Sequence, residues 1–130
     1  VDKNGLNEFV HLLGRRNDIN DVMNGIDLFV LSSLSEAFPN VLNEAMLCGT
    51  PCVTTNVGDA ADIVSDTGWV VPSRNSKLLA DAISQASKEK QLNNTCWLDK
   101  KDACRQRVIN NFSLEKMVKN YHKVWAGGKK

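Results

Sequence analysis

The sequence predicts an α/β fold with a small parallel sheet and flanking helices. Three observations carry that expectation. Short apolar runs alternate with stretches of helical periodicity. Glycine, proline or a polar cluster bounds each run. The last third, by contrast, is helical in pattern throughout. Strand and helix in alternation mean parallel strands joined by right-handed crossovers.

The elements follow in order. Phe9-Val10-His11-Leu12-Leu13 reads as a short strand closed by Gly14. After the polar stretch Arg15-Arg16-Asn17-Asp18, Asn17 or Asp18 can cap a helix from Ile19 to about Asn24, ended by Gly25. Leu28-Phe29-Val30-Leu31 is apolar on both faces, as buried parallel strands are. A loop from Ser33 to Phe38 leads to Pro39 at the first helical position, where a missing N–H costs nothing. That helix runs to Cys48, and Gly49 stops it. Pro51-Cys52-Val53-Thr54-Thr55 is the next strand, Asn56-Val57-Gly58 a turn, and Asp59 the cap of a short helix through Ile63-Val64. Gly68 breaks it, and Trp69-Val70-Val71 is a further strand stopped by Pro72. Asn75 or Ser76 caps a helix to about Ser87, with Leu78, Leu79, Ala82, Ile83 and Ala86 in one stripe. Two more helices cover about Thr95–Asn110 and the stretch after Ser113, with a frayed end at Gly127-Gly128-Lys129-Lys130. This gives about four short strands. A complete doubly wound domain has more, and its first strand and helix are missing from the pattern.

Composition narrows the function classes. The 130 residues suffice for one domain. A net charge of +1 argues against a dedicated nucleic-acid binder. No apolar run approaches the roughly 18 residues of a membrane span. The start has no signal-peptide core and no Met, so either something upstream was removed or this is a piece of a longer protein. Residues 1–87 hold 5 basic and 11 acidic side chains, whereas residues 88–130 hold 11 basic and 4 acidic. The basic tail is either a solvated helical surface or one that faces an acidic partner, anionic lipid included. Cys48, Cys52, Cys96 and Cys104 have no zinc-site spacing and read as reduced thiols of a cytoplasmic protein.

In an open parallel sheet the ligand sits beyond the carboxyl ends of the strands. Three loops belong there: 14–18, 32–38 and 56–59. The middle one feeds directly into a helix start, whose unpaired N–H groups and partial positive charge suit a phosphate. Glu36 and Glu44 flank that start, eight residues apart. Out of context, such a pair is a solvated helix face. Beside a ligand crevice, it can accept hydrogen bonds from sugar or ribose hydroxyls.

The segment DLFVLSSLSEAFPNVLNEAMLCGTPCVTTNVGDAADIVSDTGWVVP, residues 27–72, resembles the donor-binding domain of retaining glycosyltransferases of the GT-B fold, within glycosyltransferase group 1. Glu36 and Glu44 match that family's E-x7-E motif. Glu44-Ala45-Met46, Gly49, Pro51 and, one residue late, Val53 match its EAM-x-x-G-x-P-V element. Gly58, Asp62, Ile63, Val64 and Gly68 match a later element, and the tail NFSLEKMVKNYHKVW resembles its C-terminal helix.

The resemblance implies a Rossmann-like, nucleotide-sugar-binding half of a GT-B fold over residues 1–112, truncated at its N-terminus. It implies that residues 113–130 form a helix crossing toward a missing N-terminal acceptor domain. Glu44 would bind the donor's ribose hydroxyls. Glu36 would contact the transferred sugar and stabilise charge near its anomeric carbon. Backbone amides of Ala37-Phe38-Pro39-Asn40-Val41 would hold the sugar and diphosphate. Gly14, Arg15 and Arg16 would lie beside the base, against the plainer reading of the two arginines as exposed loop charge. The donor would be a UDP-, GDP- or ADP-linked sugar, and no metal or other cofactor would be needed. Many members have Gly where Ala37 and Pro39 stand and Pro where Ser32 stands; Pro39 also removes one amide from the cradle.

The function so implied is transfer of a sugar, with retention, to a polysaccharide or lipid-linked acceptor. It would take place in the cytoplasm or at the inner face of the membrane, with peripheral membrane contact by the whole protein. The 130 residues alone would be inactive. The alternative is a non-catalytic nucleotide-sugar-binding module, or an epimerase of the same fold. Leu114, Met117, Tyr121 and Trp125 of the last helix are expected to be exposed and to drive self-association.

Overall fold

A computed structural model describes residues 2–127. After a short 3-10 turn at Asp2–Asn4 come α1 (Ile19–Gly25), β1 (Phe29–Leu31), α2 (Asn40–Leu47), β2 (Cys52–Thr55) and α3 (Ala60–Val64). A second 3-10 turn, Ser65–Thr67, precedes β3 (Trp69–Val71), α4 (Ser76–Leu92), α5 (Asn94–Phe112) and α6 (Leu114–Gly127). Residues 128–130, expected as a frayed end, lie outside the described residues.

The sheet is parallel, in the order β1-β2-β3, with Val30 opposite Val53 and Thr54 opposite Val70. β2 is buried along its whole length. Successive side chains point to opposite faces, so neighbouring residues of β2 serve opposite layers. Cys52 joins Leu42, Met46, Ile63 and Val64 on the face covered by α2 and α3. Val53 joins Val71, Ala82, Ala86 and Trp97 on the face covered by α4. Helix α5 closes both layers, with Cys104 and Val108 on the first and Trp97 on the second. Trp97 stacks on Trp69 at 6.3 Å, and the Lys100 ammonium lies 4.4 Å from the Trp69 ring centre.

The helix ends follow local chemistry. Gly49, at φ 72°, ends α2: its N–H donates to the Met46 carbonyl, and the Thr50 N–H donates to that of Ala45. That pair of bonds satisfies the last carbonyls and requires a left-handed residue between them. The Thr50 hydroxyl, itself buried, donates to the Met23 carbonyl and ties α1 to this corner. The Asn75 and Asn93 side chains cap α4 and α5 by accepting from Leu78 and Cys96.

The structure corrects four expectations. The first is the strand at Phe9–Leu13, which does not form; the segment is turn and coil, with Leu12 86% exposed. A strand exists only by pairing, and these residues have no neighbouring ladder. The sheet therefore has three strands among the described residues. Second, Pro39 is the N-cap rather than the first helical residue, with extended backbone. Third, neither the Asp18 side chain at α1 nor the Asp59 side chain at α3 makes a capping bond; the Arg16 guanidinium holds Asp18, and this partner lowers the acid's pKa. Only the Asp18 carbonyl serves α1, accepting from Val22. Fourth, α4 continues past Ser87 to Leu92. The apolar stripe ends at Ala86, but Glu89 pairs with Gln85 and Lys100, and Lys90 with Asp27, so polar contacts carry the extra turn.

Cys52 and Cys104 are buried, Cys48 is half-buried and Cys96 is exposed; all four are free thiols. Burial pushes the Cys52 and Cys104 thiols up, and each other's proximity adds to it for Cys52. The folded chain thus keeps these two protonated when the unfolded chain ionises, above about pH 8.5. Stability is full below that pH and falls as pH rises from 8 toward 10, by at most about 1.4 kcal/mol per pH unit for each thiol. Guanidinium unfolding at the two pH values should show the loss; a flat profile would refute it. A thiol reagent at pH 8 should modify Cys96 at once, and Cys52 and Cys104 only on unfolding.

Candidate functional site

The site is built at the carboxyl end of β1. Beyond Leu31, the chain runs through Ser32–Phe38 and enters α2 at Pro39. Three interactions fix this loop. The Thr55 hydroxyl, at the end of β2, donates to the Ser33 carbonyl at 2.6 Å. The Ala37 carbonyl accepts the Asp59 N–H at 2.9 Å. Gly58, at φ 50°, lies against the loop so closely that a Cβ there would sit 2.2 Å from the Ala37 oxygen and 2.4 Å from that of Glu36. Only glycine fits both that backbone angle and that gap.

Glu36 is exposed, and its Oε1 accepts a 2.7 Å hydrogen bond from the Ser33 hydroxyl. Glu44 is exposed in the second turn of α2, on the side away from the buried Leu42, Ala45 and Met46. Asn40, one turn earlier, shares that open side. The two carboxylates thus stand before and after the start of one helix. At that start the Leu42 N–H is bound to the Pro39 carbonyl, and Pro39 has no N–H to offer. Within the first turn of α2 the amides left open are then those of Asn40 and Val41.

Phe38 is 41% exposed, and its ring meets Phe112 of α5 edge-on at 5.9 Å. Behind it lies a groove of about 570 Å³, bordered by Asn43, Met117 and Tyr121 among others. The Oδ1 atom of Asn43 is buried without a partner there. A second groove, of about 320 Å³, opens at the carboxyl ends of the strands between Ser32, Thr55, Arg74 and Ser76. Arg74 is left-handed at φ 60°.

Gly14, Arg15 and Arg16 form an exposed bend, with Gly14 at φ 65°. Among the described residues, no hydrogen bond or ion pair joins that bend to the Glu36 loop. Arg16 is committed to Asp18, which raises the pKa of its guanidinium. The sequence reading passed over Ser33, Thr55 and Arg74. For Ser33 a signal was present in the Ser-x-x-Glu spacing; for Thr55 there was none, because its partner is 22 residues away.

Comparison with known proteins bears on this arrangement. Residues 1–89 match the family described as Glycosyl transferases group 1. The chain belongs to that family. It is 30% identical over 118 residues to N-acetyl-alpha-D-glucosaminyl L-malate synthase of Bacillus anthracis, covering 89% of this chain and 30% of that protein. It is 31% identical over 109 residues to UDP-Gal:alpha-D-GlcNAc-diphosphoundecaprenol alpha-1,3-galactosyltransferase of Escherichia coli, covering 82% of the chain and 27% of the relative. Among solved structures, Anabaena HepE in complex with UDP is similar over 97% of the chain and 34% of that protein, with a TM-score of 0.78 and 28% identity. The sucrose-phosphate synthase of Thermosynechococcus elongatus gives 0.76 and 26% over 98% of the chain and 33% of that protein. The group 1 chain therefore spans about a third of the length of the relatives it matches. Its three-stranded sheet and helices are the corresponding part of the GT-B fold.

Replacing Gly58 with alanine should destabilise the chain by about 2 kcal/mol or more. Gly25→Ala, at a helix end with nothing within 4 Å, should change stability little or raise it. Chemical denaturation measures both. Amide shifts of the Gly58 variant should move most at Glu36 and Ala37.

Proposed function

We propose that this chain is the donor-binding part of a retaining glycosyltransferase. The observation that carries the reading is the pair Glu36 and Glu44, set on either side of a helix start at the carboxyl end of a parallel strand. Group 1 membership and the likeness to a structure holding UDP support it. Glu44 accepts from ribose hydroxyls. The amides at the start of α2 and its partial positive charge hold the diphosphate. Glu36 faces the transferred sugar. As the bond from the anomeric carbon to the diphosphate breaks, the sugar gains positive character, and a nearby carboxylate stabilises it. A new bond then forms from that carbon to an acceptor hydroxyl, whose proton leaves with the diphosphate. In this reading the charge on the diphosphate is met by protein groups, without a metal. Gly14, Arg15 and Arg16 lie beside the base.

The acceptor is a polysaccharide or lipid-linked saccharide, met at the cytoplasmic face of the membrane. The diphosphoundecaprenol acceptor in the name of the Escherichia coli relative supports this choice. Residues outside this chain supply the acceptor site, so the 130 residues bind donor without transferring it.

Glu44→Ala should weaken UDP, GDP or ADP binding about tenfold, as loss of hydrogen bonds to a charged group does. Glu36→Ala should spare the free nucleotide and weaken only the nucleotide sugar. Amide NMR titration reads both. An unchanged titration for Glu44→Ala would remove its assigned role.

Leu114, Val124 and Trp125 of α6 are 70%, 73% and 81% exposed. In the isolated chain that apolar face pairs with a second copy. Sedimentation at rising concentration should show association, reduced in Trp125→Ala; a monomer throughout refutes the pairing.

A further inference from the structure

We infer that Ser33 is a positioning residue for Glu36, and that Thr55 sets Ser33 in place. This rests on the reading of Glu36 as the group that faces the transferred sugar. Glu36 stands in an irregular loop, on a side chain with three rotatable bonds, and is exposed to water. Left alone, such a carboxylate samples many rotamers. A group that must meet charge developing at one carbon gains from being held beforehand. The fold supplies that hold. The Ser33 hydroxyl donates to Glu36 Oε1 at 2.7 Å. One oxygen is thereby fixed, and the lone pairs of the other remain free for a ligand.

Ser33 is itself held from the sheet. The buried Thr55 hydroxyl donates to the Ser33 carbonyl at 2.6 Å and lies 3.5 Å from that of Leu31. Thr55 closes the central strand, buried and in register with Val71 of β3, so the sheet fixes its position. On the other flank, Gly58 presses on the carbonyls of Glu36 and Ala37, and the Asp59 N–H binds Ala37. The Glu36 backbone is thus pinned at both ends, and Ser33 fixes the one part still free, the carboxylate. A hydroxyl three residues before a carboxylate also occurs at helix starts, where it serves capping. Here residues 33–36 are not helical, and the bond runs between the two side chains.

The test uses the 130-residue chain with Ser33→Ala, Ser33→Thr, Glu36→Ala and the double variant Ser33→Ala/Glu36→Ala. Without ligand, side-chain NMR couplings of Glu36 should report one rotamer in the original chain, averaging in Ser33→Ala, and recovery in Ser33→Thr. With ligand, the probes are UDP-glucose, GDP-mannose and ADP-glucose, each compared with its free diphosphate. Ser33→Ala should lower the preference for the sugar-bearing form about fivefold, and the threonine variant should restore it. In the Glu36→Ala background the serine change should have no further effect, since it acts through the carboxylate. Unaltered couplings in Ser33→Ala overturn the inference. So does an effect of Ser33→Ala that persists without Glu36. If Glu36→Ala leaves the sugar preference intact, or none of the three probes binds at millimolar concentration, the donor reading fails, while the couplings still decide whether Ser33 holds Glu36.

Discussion

The burial of β2 on both faces is the constraint on which the rest depends. A strand covered by helices on either side cannot leave a polar group unpaired without a cost of about 1–3 kcal/mol. Its two threonines, and Thr50 just before it, are therefore all tied. Thr50 binds the Met23 carbonyl, Thr54 its neighbour's carbonyl, and Thr55 the carbonyl of Ser33. Two of those bonds reach other elements, α1 and the β1–α2 loop. The demand for satisfied polar groups in the core thus becomes a demand on where the site loop lies.

A second tie reaches α3 from outside. The Arg107 guanidinium of α5 donates to the carbonyls of Asp62 and Ile63. A helix of five residues has little stability of its own. Its backbone needs partners at the carboxyl end, and a charged side chain supplies them. The turn that holds Gly58 leads directly into this helix, so the anchoring of α3 also stabilises the Gly58 contact with Glu36 and Ala37.

Much of this was legible in the sequence because it is written locally. The runs around Phe29, Val53 and Val70 announce strands, and Gly49, Asn75 and Ser113 mark helix ends within a residue or two. Glu36 and Glu44 stand out by their spacing about a helix start. What escaped is non-local or competitive. Phe9–Leu13 has the composition of a strand, but pairing depends on a partner that composition does not name. Asp18 has the chemistry of a cap, but Arg16 is nearer and charged. The end of α4 depends on Lys100, in another helix. The hold on Ser33 depends on Thr55, whose importance comes from register alone.

The way α5 closes both layers also says something about how the chain comes into being. On a ribosome the residues appear in order, and the three strands β1, β2 and β3 have all emerged once Val71 has. Neither face is yet sealed, because Trp97, Cys104 and Val108 come later. For the time that translation takes to cover that interval, Val53, Ile63 and Val64 await their cover. A nascent chain stalled between α4 and α5 is therefore a natural client for chaperones, and a chain released there a substrate for proteases.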